Sequence, residues 1–340
     1  MPCGLPNPIS YRPGGMSPRA LAPIATALAV AAAGCGGGGG SSTNPAPSPA
    51  SSTAPQRFPK GTGLTFDAIQ AKYPAQLSLG IGASVMRQGA NRVPFVVLDK
   101  GARPVRQAAV ALYTVHSDGT HVRGPYLAKE TPFGISPKFL SRTTASDTTT
   151  AKEFYVATVR FQGKPPQGVF ALVRMDGRLV GTSPSPLGAP ARPSTTPPDV
   201  GQKAPAMHTL TVHDVKNVSA ITTRTPPDTD LLQTDYATAL GKKPIVLVFA
   251  TPALCQSRVC GPTIDVTEQV KSEIGNGAVF IHQEIYKGNQ PNKGLRPQLG
   301  TWRLASEPWV FVIDRTGKIT ARIEGAISVG QLKALVQKVL

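Results

Sequence analysis

Acidic residues are scarce in this chain and cysteines scarcer. Its 340 residues include 19 Asp and Glu against 36 Lys and Arg, a formal charge of +17. No compact block of five or six basic residues goes with that excess. Arg87, Arg92, Lys100, Arg103 and Arg106 are dispersed, so no nucleic-acid partner is expected, and an anionic membrane or envelope polymer suits the charge better. The apolar run near the N-terminus is shorter than the roughly twenty residues of a membrane span. No Gly-x-Gly-x-x-Gly loop follows a strand, so a bound nicotinamide or flavin is not indicated, and no cofactor or resident metal is expected.

The four cysteines divide by place. Cys3 lies in a segment expected to be removed, Cys35 closes an apolar run, and Cys255 and Cys260 remain as an internal pair. A loop that short restrains the unfolded chain little, which favours a redox pair over a structural staple. Two inert buried thiols are the plainer alternative.

Arg12 and Arg19 precede an apolar stretch over residues 20–34, the layout of an export signal. Ala32-Ala33-Gly34-Cys35 resembles the lipobox of bacterial lipoproteins, with Ala32 where that family usually has Leu. The resemblance implies a signal peptide over 1–35, lipidation of Cys35, and an extracytoplasmic protein anchored to the cell membrane by its N-terminal lipid. Residues 36–62 are rich in Gly, Ser, Pro and Ala and read as a disordered tether.

Residues 63–182 show short alternating runs, such as Phe154-Tyr155-Val156-Ala157-Thr158-Val159, closed by Asp-Gly and Lys-Gly turns. This pattern predicts an all-β antiparallel sandwich and resembles immunoglobulin-like modules. His116 and His121 flank one turn; with no third ligand type evident, they read as solvated turn residues. A Pro-rich linker over 183–201 separates this module from residues 202–340.

In the last segment Ile245-Val246-Leu247-Val248-Phe249 reads as a buried strand. It is followed by Cys255-Gln256-Ser257-Arg258-Val259-Cys260-Gly261-Pro262 and a helix. Cysteines five apart on one helix would face about 140° apart, so Cys255 belongs in the loop and Cys260 at the helix start. There the helix dipole favours thiolate, most of all at Cys260. Arg258 adds positive potential or is simply solvated. Ser328 and Gln331 predict a capping box on the last helix.

The order β-α-β-α-β-α-β-β-α, the opening Val200-Gly201-Gln202-Lys203-Ala204-Pro205, the Cys260-Gly261-Pro262 triplet and the Glu307-Pro308-Trp309 loop together resemble the thioredoxin-like superfamily, in particular redoxins and TlpA-like proteins. The resemblance implies an α/β thioredoxin-like fold over 202–340 and thiol–disulfide exchange with protein thiols or disulfides. The site would comprise Cys255, Cys260 and a cis Pro308, recharged by a separate redox partner. Thr263 replaces the family's second cysteine, and Leu247 stands where thioredoxin has a buried Asp; Glu284 or Glu268 would have to serve instead. Three alternatives stand beside it. The pair resembles the copper-binding cysteines of the SCO/SenC family, with His282 as third ligand. Pro252, Ser257 and Cys260 resemble a peroxiredoxin motif, without its Arg. The domain could also be a redox-inert binding module.

Overall fold

The computed structural model describes residues 57–161, 168–187, 189–190, 196–255 and 257–340. The signal peptide, Cys3, Cys35, residues 36–56 of the tether, part of the Pro-rich linker and Gln256 lie outside these residues. Among the described residues no helix is long and apolar enough to cross a membrane.

The first half opens with α1 (Phe66–Lys72), whose Thr65 hydroxyl accepts the Ala68 N–H as N-cap. Strands β1 (Ala75–Ile81), β2 (Val85–Met86), β3 (Gly89–Leu98), β4 (Ala109–Val115) and β5 (Arg123–Pro132) follow. A short helix α2 (Arg142–Ser146) precedes β6 (Glu153–Phe161), β7 (Gly168–Met175), β8 (Arg178–Thr182), β9 (Ser185–Pro186) and β10 (Ala189–Pro190). This half is mostly β, with two short helices where an all-β module is expected, and the immunoglobulin-like sandwich does not appear. Strands run β4-β5-β6-β3-β1-β8-β7, and β7 pairs back onto β4, closing a barrel-like ring of seven. Closure removes the free edges that two separate sheets would leave. Within the ring β1 lies parallel to β8, and beside it β10 lies parallel to β2.

The second half carries β11 (Ile245–Phe249), β12 (Val279–Gln283), β13 (Trp309–Ile313) and β14 (Ile319–Glu324), in sheet order β12-β11-β13-β14. The first two are parallel, and β13 and β14 join antiparallel. Helices α3 (Tyr236–Ala239), α4 (Cys260–Ile274), α5 (Pro297–Trp302) and α6 (Val329–Val336) complete it, α6 with the expected Ser328–Gln331 capping box. Because strand side chains alternate, Val246 and Val248 join the core shared with α4 and α6. Ile245, Leu247 and Phe249 join a second core with Tyr236 and Trp302. The first strand of the expected β-α-β-α-β-α-β-β-α order, which falls at 207–212, forms no ladder. Its Thr209 is instead spent on α3: the Thr209 hydroxyl accepts the Tyr236 N–H, and Asp235 accepts the Thr209 N–H.

The two halves share one core. Val96, Phe133, Ala151 and Phe154 of the barrel half pack with Cys255, Cys260, Ile264 and Leu332. Polar ties cross the same seam. The Ser84 N–H donates to half-buried Glu324 at 2.6 Å, the Ser84 and Ser306 hydroxyls pair at 2.9 Å, and the Phe133 carbonyl accepts the Val329 N–H. Gly325, at φ 75°, lies so close to the barrel that a Cβ there would sit 2.5 Å from the Gly82 carbonyl oxygen, so no larger residue fits.

Candidate functional site around the Cys255–Cys260 disulfide

The apolar β11 ends at Phe249, and the chain turns through Thr251, Pro252, Ala253 and Leu254 to Cys255. Three side chains fix this turn by its backbone. His282 Nε2 donates to the Ala250 carbonyl at 3.0 Å, Glu307 Oε2 accepts the Thr251 N–H at 2.6 Å, and the Thr223 hydroxyl accepts the Ala253 N–H at 3.1 Å. Thr223 in turn donates from its hydroxyl and its N–H to Glu284 Oε1.

Cys255 and Cys260 are joined in a disulfide, their Cα atoms 5.9 Å apart. Cys255 lies in the loop, and Cys260 is the first residue of α4. From the sequence alone the helix-terminal advantage falls to Cys260. The geometry directs it elsewhere, because the Cys260 N–H donates to Cys255 Sγ at 3.3 Å and the Ser257 hydroxyl lies 3.3 Å from the same sulfur. Cys260 is wholly buried, and Cys255 keeps 9% of its surface. A thiolate at Cys255 would therefore have both the donors and the access.

Pro308 follows a cis peptide bond from Glu307, and its carbonyl accepts the Gly325 N–H. Glu307 is tied to the cysteine loop through Thr251. Burial pushes its carboxyl up to about 8; the Thr251 N–H opposes that, nearby Glu284 adds to it, and His282 opposes it. Its position just before Pro308 was the available sequence signal for this group. Glu284 is buried behind the loop, with Oε2 unpartnered among the described residues. Glu268 is elsewhere: eight residues beyond Cys260, about 12 Å along the helix at 1.5 Å per residue. Burial raises its carboxyl to about 7. Leu247 is buried in the core opposite the one that holds the cysteines. The Thr263 hydroxyl is spent on the Val259 carbonyl.

His282 is fully buried, and both ring nitrogens are engaged, Nδ1 with Asp228 Oδ2 at 3.0 Å and Nε2 with Ala250. Burial alone would lower its pKa, but the Asp228 carboxylate outweighs that and raises it to about 9. A histidine so occupied holds the loop and has no lone pair to offer a metal at the thiols. Arg258 turns the chain at φ 62°. Its carbonyl accepts the Ala151 N–H of the barrel half. Its charge acts on Asp147, whose carboxyl is held low first by the Thr149 hydroxyl and, less strongly, by Arg258.

The barrel half covers this site from one side. A Cβ on Gly80 of β1 would lie 3.7 Å from the Ser257 carbonyl oxygen, and one on Gly261 would lie 3.3 Å from the Thr144 hydroxyl of α2. Between the halves a cleft of about 500 Å³ stays open, walled by Leu79, Gly80 and Ile81 on the barrel side and by Leu254, Ser257 and Glu307 on the loop side. A buried ion pair anchors the cover. Arg224 Nε donates to Asp265 Oδ1 at 2.8 Å, and Arg224 Nη2 donates to the Phe139 carbonyl at 2.8 Å. The Ser141 N–H donates to Asp265 Oδ2 at 3.0 Å.

No protein-family model matches this sequence, and no curated protein matches it. Among solved structures it is similar to a thiol:disulfide interchange protein, a thioredoxin family protein from Chlorobium tepidum TLS. The two share 20% identity over 44% of this chain and 99% of that one, with a TM-score of 0.28.

Proposed function

We propose that this chain is a membrane-anchored, extracytoplasmic thioredoxin-like protein that carries out thiol–disulfide exchange through Cys255 and Cys260. The observation that carries the proposal is the disulfide at the start of α4, with the helix's first N–H directed at Cys255 Sγ. The reduced pair begins with a Cys255 thiolate, which attacks one sulfur of a substrate disulfide. That S–S bond breaks, the leaving sulfur takes up a proton, and a mixed disulfide joins Cys255 to the substrate. The Cys260 thiolate then attacks Cys255 Sγ, forming the Cys255–Cys260 bond and releasing the second substrate sulfur. Two electrons pass to the substrate, and the same steps reversed would oxidise a dithiol. The thiols carry the electrons themselves, and a separate redox protein resets the pair. A lipid on Cys35 and the low-complexity tether would hold the module beside the membrane.

Trapping tests the assignment. With Cys260→Ser, a protein disulfide substrate should accumulate as a mixed disulfide on Cys255, and with Cys255→Ser it should not. Trapping through Cys260 alone, or through neither, would sink the proposal.

A further inference from the structure

The hairpin joining β4 to β5 brings together three side chains that no step of thiol exchange uses. His116 leaves the end of β4, and His121 returns toward β5. Their rings stack with centroids 4.6 Å apart and planes 20° from parallel. The sequence offered two histidines without a third ligand; the fold supplies one in Asp118. One ligating atom from each of His116, Asp118 and His121 lies within 4.8 Å of the others.

Their surroundings hold them in place. The His116 N–H donates to the Thr120 carbonyl and the Gly119 N–H to the His116 carbonyl, both at 3.0 Å. The Phe66 N–H at the start of α1 donates to the Gly119 carbonyl at 2.8 Å. Asp118 Oδ1 accepts from the Thr120 N–H at 2.9 Å and from its hydroxyl at 2.7 Å. The Thr120 hydroxyl also lies 2.6 Å from His121 Nδ1. Since its one proton goes to the carboxylate, Nδ1 must be the donor in that second bond. That leaves Nε2 as the His121 nitrogen that can face a metal. A donor fixed on the far nitrogen is the outer-shell arrangement that orients metal-binding imidazoles.

We propose that His116, Asp118 and His121 form a surface site for a divalent transition-metal ion. Two imidazoles and one carboxylate, half-exposed to exposed, suit Zn²⁺ or Cu²⁺ with the remaining positions filled by water, and Cu²⁺ should bind more tightly. Ca²⁺ and Mg²⁺, which favour all-oxygen ligands, should not compete. The site involves neither cysteine and does not depend on the redox reading.

Titration of the oxidised full chain with Zn²⁺ and with Cu²⁺, followed by calorimetry and a chromophoric chelator, tests it. One equivalent of each metal should bind at micromolar concentration or tighter, and Cu²⁺ should show nitrogen hyperfine structure in electron paramagnetic resonance. His116→Ala and His121→Ala should each weaken binding at least tenfold. Asp118→Asn should weaken it less, and His208→Ala, at an exposed histidine elsewhere, should not. Circular dichroism of each variant reports its folding. No saturable binding below millimolar metal, or binding unaltered in both folded hairpin-histidine variants, would overturn the proposal.

Discussion

Arg224→Met tests how the barrel half is fixed over the disulfide. The side chain keeps its length and apolar stem but loses its charge and the donors to Asp265 and to the Pro226 and Phe139 carbonyls. The partners are almost dry, with side chains 5% and 0% exposed for Arg224 and Asp265. Burial already raises the Asp265 carboxyl even with Arg224 in contact. Removing one member of a buried pair costs about 3–5 kcal/mol, because the other is left charged and unpaired or must take a proton. At about 2–4 °C per kcal/mol for a chain unit of this class, melting should fall by roughly 6–20 °C. Replacing both members (Arg224→Met with Asp265→Leu) should recover part of that loss. Asp265 lies on the helix that begins with Cys260, so the same change should loosen the cover and speed reduction of the disulfide by dithiothreitol. Calorimetry and timed alkylation of the freed thiols read the two effects. A melting temperature within about 2 °C of the parent, or an unchanged reduction rate, would show that the Arg224–Asp265 pair does not fix the cover.

Two ionisable groups that hold the cysteine loop, His282 and Glu307, give pH signatures. His282 has its folded pKa, about 9, above its ordinary 6.5. Its pairing with Asp228 therefore stabilises fully below pH 6.5 and is lost as pH rises through about 9. Denaturant unfolding should show the parent losing on the order of 3 kcal/mol more than His282→Gln between pH 6 and 10. The Glu307 carboxyl, raised to about 8 by burial, then by Glu284 against the Thr251 N–H, is largely neutral at pH 7. Its ionisation should disfavour the Cys255 thiolate, so alkylation of the reduced pair should show an inflection near pH 8 that Glu307→Gln lacks.

The second half was legible because its strands announce themselves. Runs such as Ile245-Val246-Leu247-Val248-Phe249 are continuous and apolar, and Pro or Gly closes them. The helix after Cys260 and the Ser328 cap also carry local signals. β5 was not legible: it contains Pro125, exposes Leu127 at 69% and alternates only weakly. Closure of the barrel rests on the β4–β7 pairing, a non-local contact that no run of residues encodes. The cover over the cysteines was hidden for a similar reason. Arg224 and Asp265 look like ordinary surface charges until residues 139–144 fold onto α4. The pair itself was visible, but the donor to Cys255 is a backbone N–H, which leaves no trace in residue identity.

The most direct measurement is the reduction midpoint of Cys255–Cys260 in the folded full chain, equilibrated in dithiothreitol and glutathione buffers and quenched by acid and alkylation. An exchange protein requires a midpoint above about −300 mV, in the span from thioredoxin near −270 mV upward, with the fold retained in both states. A midpoint below that limit, or reduction only upon unfolding, would make the bond a structural staple and contradict the account.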